Sequence, residues 1–383
     1  MALSGPLSGP LSGPLSGPLS GPLSAGEKEK QKTYQMTPNT PTFYRRSVTR
    51  TFLLMLVVLV SSCGRTGPGK GETYMVIKGY TQGTTYMVKY STPDSTSWKG
   101  DIQRILHEVD SSMSTYKEHS IISRINRNEG FTTDRHFREV YHTARRVSEM
   151  TDGAFDITVA PLVNAWGFGF TERKKLDSAH IDSMLEFVDY QSVRLKEDRI
   201  VKGDERTMID MNAIAQGYAV DAISRFLEQK ETEDYLVEIG GEVRTKGRNP
   251  DGQPWRIGID KPIDSSSARE RELQAIVSLK EKAIATSGNY RKFYVEDGVK
   301  YSHTINPQTG YPVRHSLLSA TVFARECVFA DALATAFMVM GRRKSKEFLR
   351  EHPSIGAYFI YSDDQGNFRI DFTDNIKGLI KNL

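Results

Sequence analysis

The chain has 383 residues, of which 51 are Lys or Arg and 47 are Asp or Glu, giving a formal charge of +4. Residues 1–63 hold six basic and two acidic side chains, so the remainder balances at 45 of each sign; no basic stripe interleaved with aromatics occurs, which excludes a nucleic-acid partner. The two cysteines, Cys63 and Cys327, are too few for a disulfide framework or a Cys-based zinc site.

Residues 3–22 are five copies of Leu-Ser-Gly-Pro. Gly and Pro in every repeat oppose helix and strand, so residues 1–35 are expected to be disordered. Met36 begins what reads as an export signal. Arg45, Arg46 and Arg50 form its charged region, and residues 52–60 its apolar core, too short to span a bilayer. Val60-Ser61-Ser62-Cys63 has the order of a lipoprotein cleavage box. The expectation is a signal peptide over 36–62, an acylated Cys63, a linker to residue 72 and a globular region over 73–383. Such a protein is expected to be exported and lipid-anchored, to the inner membrane facing the periplasm; the alternative is a plain signal peptide in which Cys63 is incidental.

The globular region opens with alternation over 74–80 and 84–90, a hairpin around Thr81-Gln82-Gly83. Ile102, Ile105, Leu106 and Val109 share one face of a helix over 101–113. Further helices are expected over 120–126 and 137–151, the second ending at Asp152-Gly153. Arg199-Ile-Val and Thr207-Met-Ile-Asp read as a hairpin with Lys202-Gly203-Asp204 at its tip. Ile209 to Asp221 then reads as strand end, turn and helix start, with Asn212 as N-cap and Gly217 admitting a close neighbour. Strands dominate from 235 to 321, punctuated by Asn249-Pro-Asp-Gly and Asn306-Pro. A helix over 328–340 ends at Gly341, and a basic helix follows over 342–351. The elements lack a βαβ rhythm, and neither a Gly-x-Gly-x-x-Gly nor a Walker loop is present. The expected fold is α+β, mixed sheets with packed helices in one large globular unit, without a Rossmann motif.

Some residues on these elements suit chemistry. Asp331 and Thr335 lie at i and i+4 on the last apolar helix, so they face the same way. Their oxygens suit Mg²⁺ or Ca²⁺, although an acid near a helix start and a back-bonded Thr would look the same. His303, where a strand enters a turn, suits proton transfer or simple packing.

Several stretches follow one another along the chain: Gly153-Ala-Phe-Asp-Ile-Thr with Pro161-Leu and Trp166-Gly-Phe-Gly; Ile209 to Asp221; Glu238-Ile-Gly-Gly-Glu; Thr286-Ser-Gly-Asn-Tyr; His303-Thr-Ile-Asn-Pro with Thr309-Gly; and Ala330-Asp-Ala-Leu-Ala-Thr-Ala. In that order they resemble the motifs of the ApbE family of FAD:protein FMN transferases. Ordered motifs are far more specific than any one alone. The resemblance implies Mg²⁺ held by Asp331, Thr335 and the Ala213 carbonyl. The regular helix must then begin a residue or two after Asn212. It implies His303 as catalytic base, in a setting where the family often has Asp and this chain has Asn306. It implies FAD contacts at Gln82 (for a family Met), Tyr116, Ala154, Phe155, Asp156, Asp210, Gln216 (where many members have Lys) and Ile305. The implied activity is Mg²⁺-dependent transfer of FMN from FAD to a Ser or Thr hydroxyl of an acceptor flavoprotein subunit of a membrane redox complex. The same residues would also serve an FAD pyrophosphatase or an FAD-binding lipoprotein without turnover.

Overall fold

The protein is described here from a computed structural model covering residues 73–169, 176–263, 272–289, 293–296 and 299–383. The Leu-Ser-Gly-Pro repeat, the signal segment, Cys63 and the linker lie outside the described residues.

Strands β1 (Thr73–Thr81) and β2 (Thr84–Thr92) pair in register about a Gln82-Gly83 turn, as expected. Both turn residues have positive φ, 48° and 73°, the pairing that matches the right-handed twist of a tight hairpin. Helices α1 (Lys99–Met113), α2 (Ile121–Asn126) and α3 (Arg135–Met150) follow. Ser120 and Asp134 cap the last two by accepting the amides of Ser123 and Phe137. Ile102, Ile105, Leu106 and Val109 of α1 are all buried, so its apolar face is the one the spacing indicated. Two short helices, α4 (Ala160–Ala165) and α5 (Ser178–Leu185), pack around Leu162, Trp166 and Ile181.

The hairpin expected around Lys202 is not formed. Instead β3 (Arg194–Lys196) pairs with β4 (Arg199–Val201) around Glu197-Asp198. The partner assigned to Arg199-Ile-Val, residues 207–210, has no strand. Its backbone is satisfied from far away: the Asn126 side chain accepts from Ile209 N (2.8 Å) and donates to Ile209 O (2.9 Å), and Asp210 N donates to Ile157 O (2.7 Å). A side chain and a loop carbonyl thus take the place of a neighbouring strand.

Helix α6 (Ala215–Gln229) leads to β5 (Tyr235–Ile239) and β6 (Glu242–Lys246). Strands β7 (Trp255–Asp260), β8 (Leu273–Leu279), β9 (Lys282–Gly288), β10 (Phe293–Glu296), β11 (Val299–Ser302) and β12 (Leu317–Ala324) follow. Helix α7 (Cys327–Glu351) bends at Gly341, whose φ of 72° lies outside helical space, so the break falls where the glycine indicated. Strands β13 (Gly356–Ser362), β14 (Phe368–Phe372) and β15 (Ile380–Asn382) complete the chain.

Eight strands form one antiparallel sheet in the order β1-β2-β5-β6-β9-β12-β13-β14, and β15-β8-β7 form a smaller one. The period-two alternation divides the side chains between two cores. Val237, Ala285 and Val322 join α1, α3, α6 and α7 in the larger core. Leu236, Ile284 and Phe323, one residue away in each strand, join Trp255 and Val277 of the smaller sheet. The architecture is the expected α+β unit. It places the start of α6 and the first turns of α7 side by side on one face of the large sheet.

Candidate active site

The stretch entering α6 makes a tight turn before the helix. Met211 O accepts from both Ile214 N (3.1 Å) and Ala215 N (2.9 Å). Asp210 accepts from Asn212 N (2.7 Å) and from the Asn212 side chain (3.2 Å). Asn212 therefore braces Asp210 rather than capping the helix, which starts at Ala215 with Ile214 as a cap that lends no side-chain bond. The N-cap expectation is corrected. The later start accords with an Ala213 carbonyl that stands outside the regular helix. Burial raises the Asp210 carboxyl above its ordinary range, opposed by the Asn212 bonds.

Gly217 brings α6 and α7 together. A Cβ on it would sit 2.6 Å from Cys327 O and 2.8 Å from Asp331 Cβ, so only glycine allows this approach. Its amide donates to Asp331 Oδ2 at 2.9 Å, whereas the next amide, Tyr218 N, makes the usual bond to the carbonyl four back, Ile214 O. The Gly217 amide is thus spent on α7 rather than on Ala213. Thr335, one turn beyond Asp331, lies 3.1 Å hydroxyl to hydroxyl from Ser287 of β9. Burial pushes the Asp331 carboxyl up to about 7, with the Gly217 amide opposing and the nearby Asp221 adding to the rise. Asp221 itself is structural. It pairs with Arg244 (2.8 Å) and accepts from Val328 N (2.8 Å) at the start of α7.

Among the described residues no cluster of three or more His, Cys, Asp or Glu side chains could hold a metal ion. A cation here would rest on one carboxylate, hydroxyls and a backbone carbonyl. That all-oxygen set fits Mg²⁺, which is commonly held by one or two carboxylates while substrate phosphates and water complete its shell. A buried carboxyl pushed toward neutrality is also the group a cation would return to its charged form.

The β1–β2 turn lies against the same helix start. Gln216 Nε2 donates to Gln82 O at 3.4 Å, and its Oε1 lies 3.1 Å from the Cβ that Gly240 lacks. Gly240, at φ 68°, in turn donates its amide to Thr85 O (3.1 Å). Gln82 Oε1 is buried and has no hydrogen-bond partner among the described residues.

The other half of the site is the loop after β11. His303 is half-buried and Ile305 buried. Asn306 Oδ1 accepts from Gln308 N (2.8 Å) and Thr309 N (3.2 Å). These bonds need only a side-chain oxygen, so Asn serves the turn as Asp would. Gln308 reaches the Asp152 carbonyl, docking this loop on the Gly153-Ala-Phe-Asp loop. There Ala154 and Phe155 are buried, and Phe155 belongs to the large core. Asp156 Oδ1 accepts from Thr158 N and Oγ1 (both 2.7 Å), and Oδ2 from Tyr190 N (3.0 Å). Its carboxylate thus shapes the loop, and burial raises it despite those bonds. Tyr116, 75% exposed, is presented at the surface; its neighbour Thr115 Oγ1 receives the Asn212 side chain at 3.4 Å.

The structure thus holds Asp331, one turn before Thr335, and Gln82 against the start of α6, and the His303 loop against the 152–156 loop. Asp210 joins the two through its bond to Ile157. Two contributors escape a reading of the sequence alone. Ser287 stands inside the Thr-Ser-Gly-Asn motif, which is the signal that could have found it. Asn126 is a surface-type residue at a helix end, and nothing local marks it as the grip on Ile209.

The sequence profile of the ApbE family matches residues 82–359. A protein of Vibrio cholerae named FAD:protein FMN transferase is 37% identical over 320 residues, covering 81% of this chain and 94% of that protein. One of the same name from Escherichia coli K12 is 34% identical over 331 residues, covering 82% and 92%. Among solved structures, the flavin transferase ApbE of Vibrio cholerae superposes with a TM-score of 0.72 at 34% identity, covering 80% of this chain and 99% of that one. The apo flavinyl transferase ApbE of Pseudomonas stutzeri gives 0.72 at 34%, covering 80% and 97%.

Proposed function

This chain belongs to the ApbE family, and from that premise we propose that it is a FAD:protein FMN transferase. It moves FMN from FAD to a Ser or Thr hydroxyl of an acceptor protein and releases AMP. The observation that supports the reading is the Gly217–Asp331 bond, which holds a buried carboxylate, one helical turn before Thr335, against the start of α6.

Asp331, Thr335 and the Ala213 carbonyl would hold Mg²⁺, which when bound neutralises charge on the diphosphate oxygens. Gln82, Tyr116, Ala154, Phe155, Asp156, Asp210 and Ile305 on their loops, with Gln216 at the start of α6, seat the dinucleotide. His303 accepts the proton of the attacking hydroxyl. The acceptor oxygen forms a bond to the FMN phosphorus, and the bond from that phosphorus to the oxygen bridging to AMP breaks. With water as the attacking group the products are FMN and AMP.

Export and anchoring belong to the same proposal. Cleavage before Cys63 and acylation of its thiol would hold the enzyme at the inner membrane, facing the periplasm. There it would meet acceptor subunits of membrane redox complexes. The test is AMP release from FAD and Mg²⁺ with and without a candidate acceptor. The transferase predicts release coupled one-to-one to acceptor labelling. Release independent of acceptor would make the protein a hydrolase, and none would make it a flavin-binding protein.

A further inference from the structure

The loop bearing His303 is clamped by one short segment, Trp166-Gly167-Phe168-Gly169. Trp166, buried at the end of α4, donates its indole N–H to Gly310 O at 2.8 Å. Its ring also lies 6.0 Å from that of Tyr311. Two residues on, the Phe168 ring meets the His303 imidazole edge to face, with centroids 6.4 Å apart and planes at 68°. That is a favoured geometry for an aromatic pair.

The backbone around Phe168 is closely constrained. Gly167 has a φ of 78°. A Cβ on Gly169 would lie 1.9 Å from Asn164 Oδ1. Gly310, which receives the Trp166 bond, has a φ of 75° and would place a Cβ 2.3 Å from Ile181. Both sides of the clamp thus use glycine where a side chain would not fit. Phe168 is only half-buried, so it contributes less to the core than Trp166 does. Its ring also makes the contact with the imidazole.

We propose that Phe168 is a positioning residue for the His303 imidazole, with the Trp166 indole fixing the loop that carries it. This rests on the reading of His303 as the base. A base that accepts a proton from a hydroxyl must hold its ring nitrogen within hydrogen-bond reach, and small misplacements cost large factors in rate. Phe168 therefore acts on the chemical step and not on FAD binding.

The test compares Phe168→Leu, Phe168→Tyr, Trp166→Phe and His303→Ala in the intact protein. Each is assayed for single-turnover transfer at saturating FAD and for FAD affinity, and the three that keep His303 also for its ring signals by NMR. Phe168→Leu should lower the transfer rate on the order of tenfold, leave FAD affinity unchanged and move the His303 signals. Phe168→Tyr keeps the ring and should restore both rate and signals. Trp166→Phe, which removes the indole donor and part of the buried ring, should reproduce the Leu result in part. A parental rate in Phe168→Leu, or a loss shared equally by Phe168→Tyr, would overturn the proposal. His303→Ala at the parental rate would instead remove the base and the proposal with it, while moved signals in Phe168→Leu would still report the ring contact.

Discussion

The Gly217 amide on α6 donates to Asp331 Oδ2 on α7 at 2.9 Å, a bond spanning 114 residues of sequence. It needs the helices so close that no side chain fits at 217. Gly217→Ala should therefore force the helices apart and destabilise the fold by about 1–3 kcal/mol, the usual cost of overpacking. Urea unfolding checks it, and an unchanged midpoint would contradict the contact.

Asp331 and Thr335 should differ in their response to removal. Asp331→Ala takes away the one carboxylate of the proposed cation site, so activity should be lost and added Mg²⁺ should not protect the variant against heat. Thr335→Ala loses a neutral oxygen that water can replace, so a raised Mg²⁺ requirement with substantial activity is expected. Mg²⁺ titrations of rate and of melting temperature check both, and full activity of Asp331→Ala at limiting Mg²⁺ would remove the assignment.

These two residues show what is legible in the sequence. Their i, i+4 spacing, the hairpin at Gln82-Gly83, the apolar face of α1 and the break at Gly341 are local, and each is readable from its own few residues. What the sequence hides is long-range. Residues 207–210 look like a strand, but Asn126, 83 residues from Ile209, takes the place of a partner strand. Asn212 looks like a cap, but the Gly217 amide is claimed by Asp331 and the helix starts late. Asp156 and Asp210 are recognisable as motif acids. That one shapes its loop through Thr158 and Tyr190 while the other is braced by Asn212 follows only from the packing.

The Asn306 turn offers a third prediction. Both amides bonded to it need an oxygen and no N–H. Asn306→Asp should leave thermal stability and transfer near parental values. Asn306→Ala should lose about 1 kcal/mol or more from the unmet amides and loosen the His303 loop. Melting curves of the two variants decide it; equal losses would show that the turn does not depend on the side-chain oxygen.

His303 separates binding from chemistry. His303→Ala should retain FAD affinity while transfer falls by on the order of 10²–10⁴, the worth of a positioned base. In the parent the rate should rise with pH as the imidazole loses its proton, because the neutral ring is the form that accepts. That rise should vanish in the variant. Calorimetric FAD binding and single-turnover rates on the same samples check this, and an unchanged rate per folded molecule would assign the proton to another acceptor.

The proposed reaction joins FMN covalently to another protein. Incubation with FAD, Mg²⁺ and a candidate acceptor, followed by denaturing electrophoresis and intact-mass measurement of the acceptor, tests it most directly. The expected result is a fluorescent acceptor band whose mass has risen by one phosphoester-linked FMN, absent with chelator and absent with Asp331→Ala. FAD converted to FMN and AMP while every acceptor that is labelled by a relative stays unmodified would contradict it.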